Sequence, residues 1–490
     1  MHTLVKHIIL LLHRTASVSF LATLTLFFTF FTAKAQNIAN TTTKRDSIFC
    51  YIIKNVTLTG NKRTKDFIIT RELDFRPGDS ICSDNFTKRF EKNGNRIFNT
   101  GLFISVNIVP SFADSNAVEL NIVLEERFYS YPIPLIGLAD RNFSEWWNQR
   151  GHDFSRLDWG VRFVQKNVRG RNETLRIRGE FGFNKKFEVD YTFPYINRTL
   201  KTGLSVYAGA ILNRQVAYRT ANHKLTYTED SGFLRERYAA GVTIFRRNNY
   251  YVTHALSLYG YNNIISDTVA RLNPNYFLDG RTSQFYPSLH YSFTKDHRDI
   301  QYYPLKGYYV DVDLETNGLG ISPDINYSFI KLDIAKFTPL NSIHRNLFAA
   351  VGLRGKASTP DKQPFFNQRG LGYDKENISG YELYVIDGQH FVMTKMHLKW
   401  QLFKFNTRMS GIPIENFKNV PLALYFKLHA DAGYVSNMYP IGNERFANHW
   451  LNGFGAGLDF ATYYDFVIRF EYSINGAGET GFFINFKAGI

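Results

Sequence analysis

The residues of this chain that most resemble reaction chemistry are Asp296, His297, Arg298 and Asp299, two carboxylates and an imidazole close enough in sequence to suggest metal binding or acid–base work. A turn with internal charge pairing accounts for them without any reaction. Cys50 and Cys82 are the only cysteines. In an oxidising compartment they could close a loop of about 32 residues, worth roughly 3 kcal/mol, or remain two buried thiols. There is no metal-ligand spacing and no G-x-S-x-G nucleophile elbow, so the expectation is a protein that is not an enzyme and needs no metal or cofactor. What recurs instead is charge at every second position, as at Asp311 and Asp313, at Lys427, His429 and Asp431, and at Arg469 and Glu471. An apolar core does not tolerate such charges unpaired.

The elements that carry them read as strands. From 156 to 490 the chain runs through segments of roughly ten residues in which apolar and polar side chains alternate, the period of a strand with one greasy and one wet face. In Leu422 to Gly433, for example, Leu424, Phe426 and Leu428 share one face and Tyr425, Lys427, His429 and Asp431 the other. A soluble sandwich has the same period, but the charges on the wet face favour a hydrated interior and therefore a transmembrane antiparallel β-barrel. About sixteen such segments fit the length, each long enough to span a tilted path through a bilayer. Leu175 to Phe183, Leu204 to Ile211, Tyr308 to Leu314, Phe466 to Ile474 and Phe482 to Ile490 are clear cases. The 30 Tyr and 44 Phe suit aromatic girdles, and a mean hydropathy of -0.26 suits a barrel that is wet inside.

Ahead of the strands, Lys6 and Arg14 precede an apolar stretch that ends at Ala33, Lys34 and Ala35, the pattern of a cleavable secretory signal over 1–35. A retained anchor is the rival reading. Residues 36–49 form a polar leader. The formal charge of +15 drops by three if Lys6, Arg14 and Lys34 are removed. Basic residues scattered among strands of an exported chain point to anionic lipid head groups and exclude nucleic acid as a partner.

Residues 50–127 read as a small α+β module in the order strand, helix, helix, strand, strand. The first helix is expected from Lys65 to Leu73. The second is expected to be capped by Ser83 or Asp84, with Phe86, Phe90 and Ile97 on one stripe. Turn signals punctuate it at Gly60, Asn61, Gly78 and Gly101. Val56 to Asn61, Arg76 to Asp79, Phe98 to Phe103 and Leu120 to Glu125, in that order, resemble a POTRA domain, the periplasmic module of the BamA/TamA superfamily. In that family it docks client chains by strand addition at a sheet edge.

Three further stretches resemble the same superfamily's surface-antigen type barrel. Asp296, Arg298, Asp299 and Gly307 match a strand junction, and Asp431 with Gly433 match a lumen-wall motif. Ile378, Ser379, Gly380 and Tyr381 match the tip of a long extracellular loop whose arginine, in the family, pairs with the wall acid. Here Ser379 stands in the arginine's place, and Arg369 is the substitute cation expected from upstream. Residues 128–155 are the linker and the entry to the barrel, and the final strand runs to Ile490. The resemblance implies a bacterial outer-membrane protein with its POTRA domain in the periplasm. It implies partners among outer-membrane lipid, unfolded or exported client proteins and accessory periplasmic or lipoprotein subunits. Its implied work is insertion or translocation of proteins through POTRA docking and a lateral barrel seam. The alternative is a transport pore or surface-binding barrel without insertase activity.

Overall fold

The computed structural model describes residues 49–114, 116–138, 153–373, 376–408, 419–440, 442, 445–462 and 466–485. The expected signal at 1–35, nearly all of the leader and the terminal residues 486–490 lie outside this set. Strand β1 (Cys50–Thr59), helix α1 (Asp66–Thr70), a short β2 (Ser80–Cys82), helix α2 (Phe86–Phe98), β3 (Phe103–Asp114) and β4 (Ala117–Glu126) build the first module. Its sheet runs β2-β1-β4-β3, with β1 parallel to β4 and β3 antiparallel to it. Ile53, Ile68, Ile69, Ile97, Leu120 and Ile122 are buried where the helices cover one face of the sheet.

Two local expectations are corrected here. A strand, β2, stands between the helices, because Asp79 accepts from the Ile53 amide and holds the segment against β1. Neither Ser83 nor Asp84 caps α2. Both lie in a 3-10 turn, and Asn85 takes the cap position with no side-chain capping bond to the helix. The sulfurs of Cys50 and Cys82 are joined.

The rest is one antiparallel sheet. Its strands are β5 (Ser130–Leu138), β6 (Leu157–Lys166), β7 (Thr174–Gly182), β8 (Lys185–Phe193) and β9 (Thr202–Asn213). After a separate hairpin, β10 (Gln215–Ala221) and β11 (Lys224–Glu229), come β12 (Arg235–Arg247), β13 (Val252–Ile265), β14 (Ser283–Asp296) and β15 (Gly307–Asn317). Then follow β16 (Tyr327–Pro339), β17 (Leu347–Thr359), β18 (His390–Arg408), β19 (Asn419–Ser436), β20 (Trp450–Ala461), β21 (Val467–Asn475) and β22 (Thr480–Asn485). The sixteen strands pair in chain order from β5 to β22, with the β10–β11 hairpin left out. The sheet therefore starts at Ser130, inside the stretch read from sequence as linker and barrel entry. Ser130 to Leu138 pairs residue for residue with β6 and carries Pro132 and Pro134, as a strand at the end of a sheet can.

Alternation sorts the faces. Ile244, Leu256, Leu258, Phe454 and Phe482 point outward and are exposed, whereas Lys427, Asp431, Asp459, Arg469 and Glu471 point inward and are buried. The sheet curls around these charges. Tyr303, between β14 and β15, donates its hydroxyl to Asp459 on β20 at 2.9 Å, which brings together parts of the wall that are far apart in strand order.

Candidate functional site: the lumen wall and its docked loop

The segment between β17 and β18, described over 360–373 and 376–389, folds inward rather than away from the wall. Leu371, Ile378, Tyr381 and Ile386 bury themselves with Phe391, Met393, Val435 and Leu451 of the strands. This apolar contact sets the depth at which the loop tip meets the wall. At that depth Ser379 donates twice to Asp431 Oδ2, from its backbone N–H at 3.1 Å and from its hydroxyl at 2.5 Å. Asp431 is 2% exposed and Ser379 8%. Lys395 Nζ stands 3.7 Å from the same oxygen.

The approach is close enough to explain the residue type. A Cβ on Gly453, the neighbour of Asp431 across the β19–β20 ladder, would lie 1.8 Å from the Ser379 carbonyl oxygen, so only glycine admits the tip. Backbone pressed this near the wall brings the short side chain of Ser379 within hydrogen-bond reach of Asp431. Gly380 has a φ of 82° and its carbonyl accepts from Asn475 Nδ2 at 2.9 Å, which fastens the tip to β21 as well. Gly433 lies beneath Ile378 and Leu371.

Arg369 does not take the missing cation's place. Its guanidinium lies over the rings of Phe366 and Tyr373, 5.6 and 5.4 Å from their centroids, and only its carbonyl faces the wall, accepting from Lys356 Nζ at 3.0 Å. The polarity of the contact is partly inverted relative to the family expectation. Lys331 pairs with Glu376, Lys395 donates to Asn377 Oδ1 at 3.2 Å, and so the wall supplies cations while the loop supplies acceptors.

Beneath the loop lies a buried network built largely from the alternate charges already noted on these strands, whose pairing with one another their spacing did not give. Lys427 is fully buried, pairs with Glu471 and stands 3.4 Å from Asp459. Arg469 Nε also lies 3.4 Å from Asp459. His429 Nε2 and the Ser473 hydroxyl are 3.1 Å apart. Tyr303 closes the network from the β14–β15 turn, with Lys399 Nζ 4.2 Å from its ring centroid. The sequence signal was present in the alternate charges of β19, β20 and β21. Their cross-strand partners depend on register, which sequence alone does not give.

At the end of the barrel nearer the first module, Arg298 grips Asp296 with Nε and Nη2 at 2.8 and 2.7 Å. Asp299 accepts the Leu305 and Lys306 amides. Gly307 begins β15 against the His297 carbonyl. These residues shape a turn, and Asn99 of the module donates to the Asp299 carbonyl at 3.0 Å. The module meets other turns of the same end. Arg247 holds both oxygens of the buried Glu72, Arg96 lies 3.8 Å from the Tyr250 ring centroid, and Asn167 donates to Thr64. Gly60 bends β1 toward α1 with a φ of 96°, Asn61 bonds Thr64 and Asp66, and Gly78 and Gly101 sit in later turns.

At the opposite end, the β10–β11 hairpin reaches across the mouth. The His223 amide donates to the Gly442 carbonyl, its own carbonyl accepts from Val385, and its ring packs 4.3 Å from that of Phe446. Gly442 and Phe446 belong to the β19–β20 loop, half the sheet away from β9 and β12.

Residues 167–490 match the family model for the Omp85 superfamily domain, and residues 51–127 match the POTRA model described as a surface antigen variable number repeat. The chain belongs to the Omp85 superfamily. It is an outer-membrane β-barrel of that superfamily preceded by a POTRA domain. Among solved structures, BamA from Haemophilus ducreyi lacking POTRA domains 1-3 is similar at 14% identity and a TM-score of 0.49, covering 89% of this chain and 84% of that one. CdiB from Acinetobacter baumannii is similar at 12% and 0.45, over 89% of this chain and 74% of that one. CdiB from Escherichia coli is similar at 10% and 0.45, over 90% and 89%. A search of curated proteins gave no match.

Proposed function

We propose that this Omp85 barrel is not an enzyme and that it handles unfolded polypeptide at the bacterial outer membrane. Its POTRA domain faces the periplasm and receives a client strand, and the barrel passes that strand into or across the membrane. The observation that carries the reading is the outer edge of β3. Among the described residues this strand pairs with β4 alone, and beside it runs a groove of about 330 Å³ lined by Phe90, Gly94, Phe98, Val106 and Ile108. An extended chain added to β3 would satisfy the edge's free backbone groups and lay alternate apolar side chains in the groove. Ile300 of the β14–β15 turn also lines the groove, so a strand bound there lies next to the barrel.

A passive pore is the weaker reading, because the lumen holds the docked loop and the hairpin bridges the far mouth. The test is assisted folding of a urea-denatured outer-membrane barrel client into liposomes containing the full chain. Acceleration of at least tenfold over empty liposomes, lost when Gly94→Trp fills the groove, is the expected outcome. Equal rates with and without the protein overturn the reading.

A further inference from the structure

A cleft of about 670 Å³ lies where α1 and the segment after it meet the turns that join β8 to β9 and β12 to β13. Phe67, Leu73 and Phe75 line it with apolar surface, and Arg71, Arg76, Lys201 and Arg247 add four cationic side chains. The acid beneath them, Glu72, is already engaged by Arg71 at 2.6 Å and by Arg247 at 2.5 Å. Arg76 and Lys201 are exposed, as are Arg198 and Arg246 next to the cleft in sequence, so the site carries a clear excess of positive charge.

Its height on the barrel matters as much as its charge. Val242 and Ile244 are the last exposed apolar residues on the outer face of β12 before Arg246, which pairs with Thr202 at the foot of β9. Arg247 is three residue steps beyond Ile244, about 10 Å along the strand and, with a tilt of about 35–45°, about 7–8 Å along the bilayer normal. The headgroup layer of one leaflet is roughly 5–7 Å thick. The cleft therefore opens at the aqueous edge of the headgroup layer, within reach of the lipid phosphates. Ile196, exposed in the β8–β9 turn, adds apolar surface at the same level.

We propose that this cleft binds the phosphate headgroup of an anionic phospholipid, with the guanidinium and ammonium groups on the phosphodiester and the apolar residues against the glycerol and first methylenes. Arginine suits the task because its planar fork matches two phosphate oxygens at once. A lipid there touches the POTRA domain and the barrel together and steadies the angle between them. The inference rests on the membrane placement of the wall and not on client insertion, so each can fail alone.

The experiment is equilibrium binding of a short-chain phosphatidylglycerol to the full chain in neutral detergent, followed by native mass spectrometry. Arg76→Ala with Lys201→Ala should weaken binding about thirtyfold, the size expected for two basic side chains at an anionic surface. Lys336→Ala, an exposed base at the same end of β16, should change it less than twofold. Unchanged binding in the double variant overturns the site. Phosphatidylcholine binding as tightly overturns its anionic preference. Displacement by inorganic phosphate at the lipid's own concentration makes it a free-phosphate site and overturns the lipid.

Discussion

Ser379 and Asp431 carry the loop contact by two hydrogen bonds to one buried carboxylate oxygen, the kind of bond that contributes more than a neutral pair because one partner is charged. Ser379→Ala removes the 2.5 Å bond and leaves the carboxylate with less support. The variant should lose about 1–3 kcal/mol of barrel stability, read as a lower midpoint in thermal unfolding followed by heat-modified gel mobility. Arg369→Ala should leave that midpoint within about 0.5 kcal/mol of the wild type, because its guanidinium only covers two rings at a partly open site. A different pH signature comes from Asp74 in the POTRA domain. Burial pushes its carboxyl up, but hydrogen bonds from Arg89 and Asn93 and the charges of Arg96 and Arg89 outweigh burial and hold it below its ordinary 3.8. A depressed acid stabilises the fold fully above its ordinary value and ceases to do so as pH falls through the lower, folded one. Acid titration of POTRA unfolding should therefore show a loss below about pH 4 that Asp74→Asn abolishes.

At the scale of elements, the module is held to the barrel by side chains from several turns, and Glu72 is the centre of that clamp. It is wholly buried and takes both donors of Arg247 and one of Arg71. Glu72→Gln leaves two guanidinium groups facing a neutral amide, and about 2–3 kcal/mol of local stability should go with the charge. Hydrogen exchange at Tyr250 and Tyr251 would report it as faster opening, while exchange in the interior strands stays as it was. Nothing of this clamp was legible in the sequence. Glu72 and Arg247 are 175 residues apart, and each alone reads as a surface charge near a turn. The strands were legible because period two is local. Lys427 and Asp431 fell on the buried face of β19 as alternation required, and Leu428 on the exposed one. The loop tip lay between these cases. Its motif showed from Ile378 to Tyr381, but that a serine could reach Asp431 depended on Gly453, a residue on another strand whose missing side chain has no local signature.

For the whole molecule, the question is where a wall of sixteen strands could open. The interior ladder of β12 and β13 is continuous, pairing without interruption from Arg235 with Ile265 to Arg247 with Thr253. Parting them in lipid would expose every one of those backbone groups at several kcal/mol each. Among the described residues no ladder joins β22 to β5, and these two strands end the sheet order. On the proposed reading, sideways passage of a client is expected at this seam, where an incoming strand would supply backbone partners rather than displace them. A disulfide engineered between β5 and β22 should cut client insertion in liposomes by more than tenfold and reducing agent should restore it, whereas one across β12 and β13 should change nothing. Both are best made with Cys50→Ser and Cys82→Ser, so that reduction acts on the engineered bond alone. Full insertion through a sealed seam would mean that clients pass through the lumen, past the loop held by Asp431.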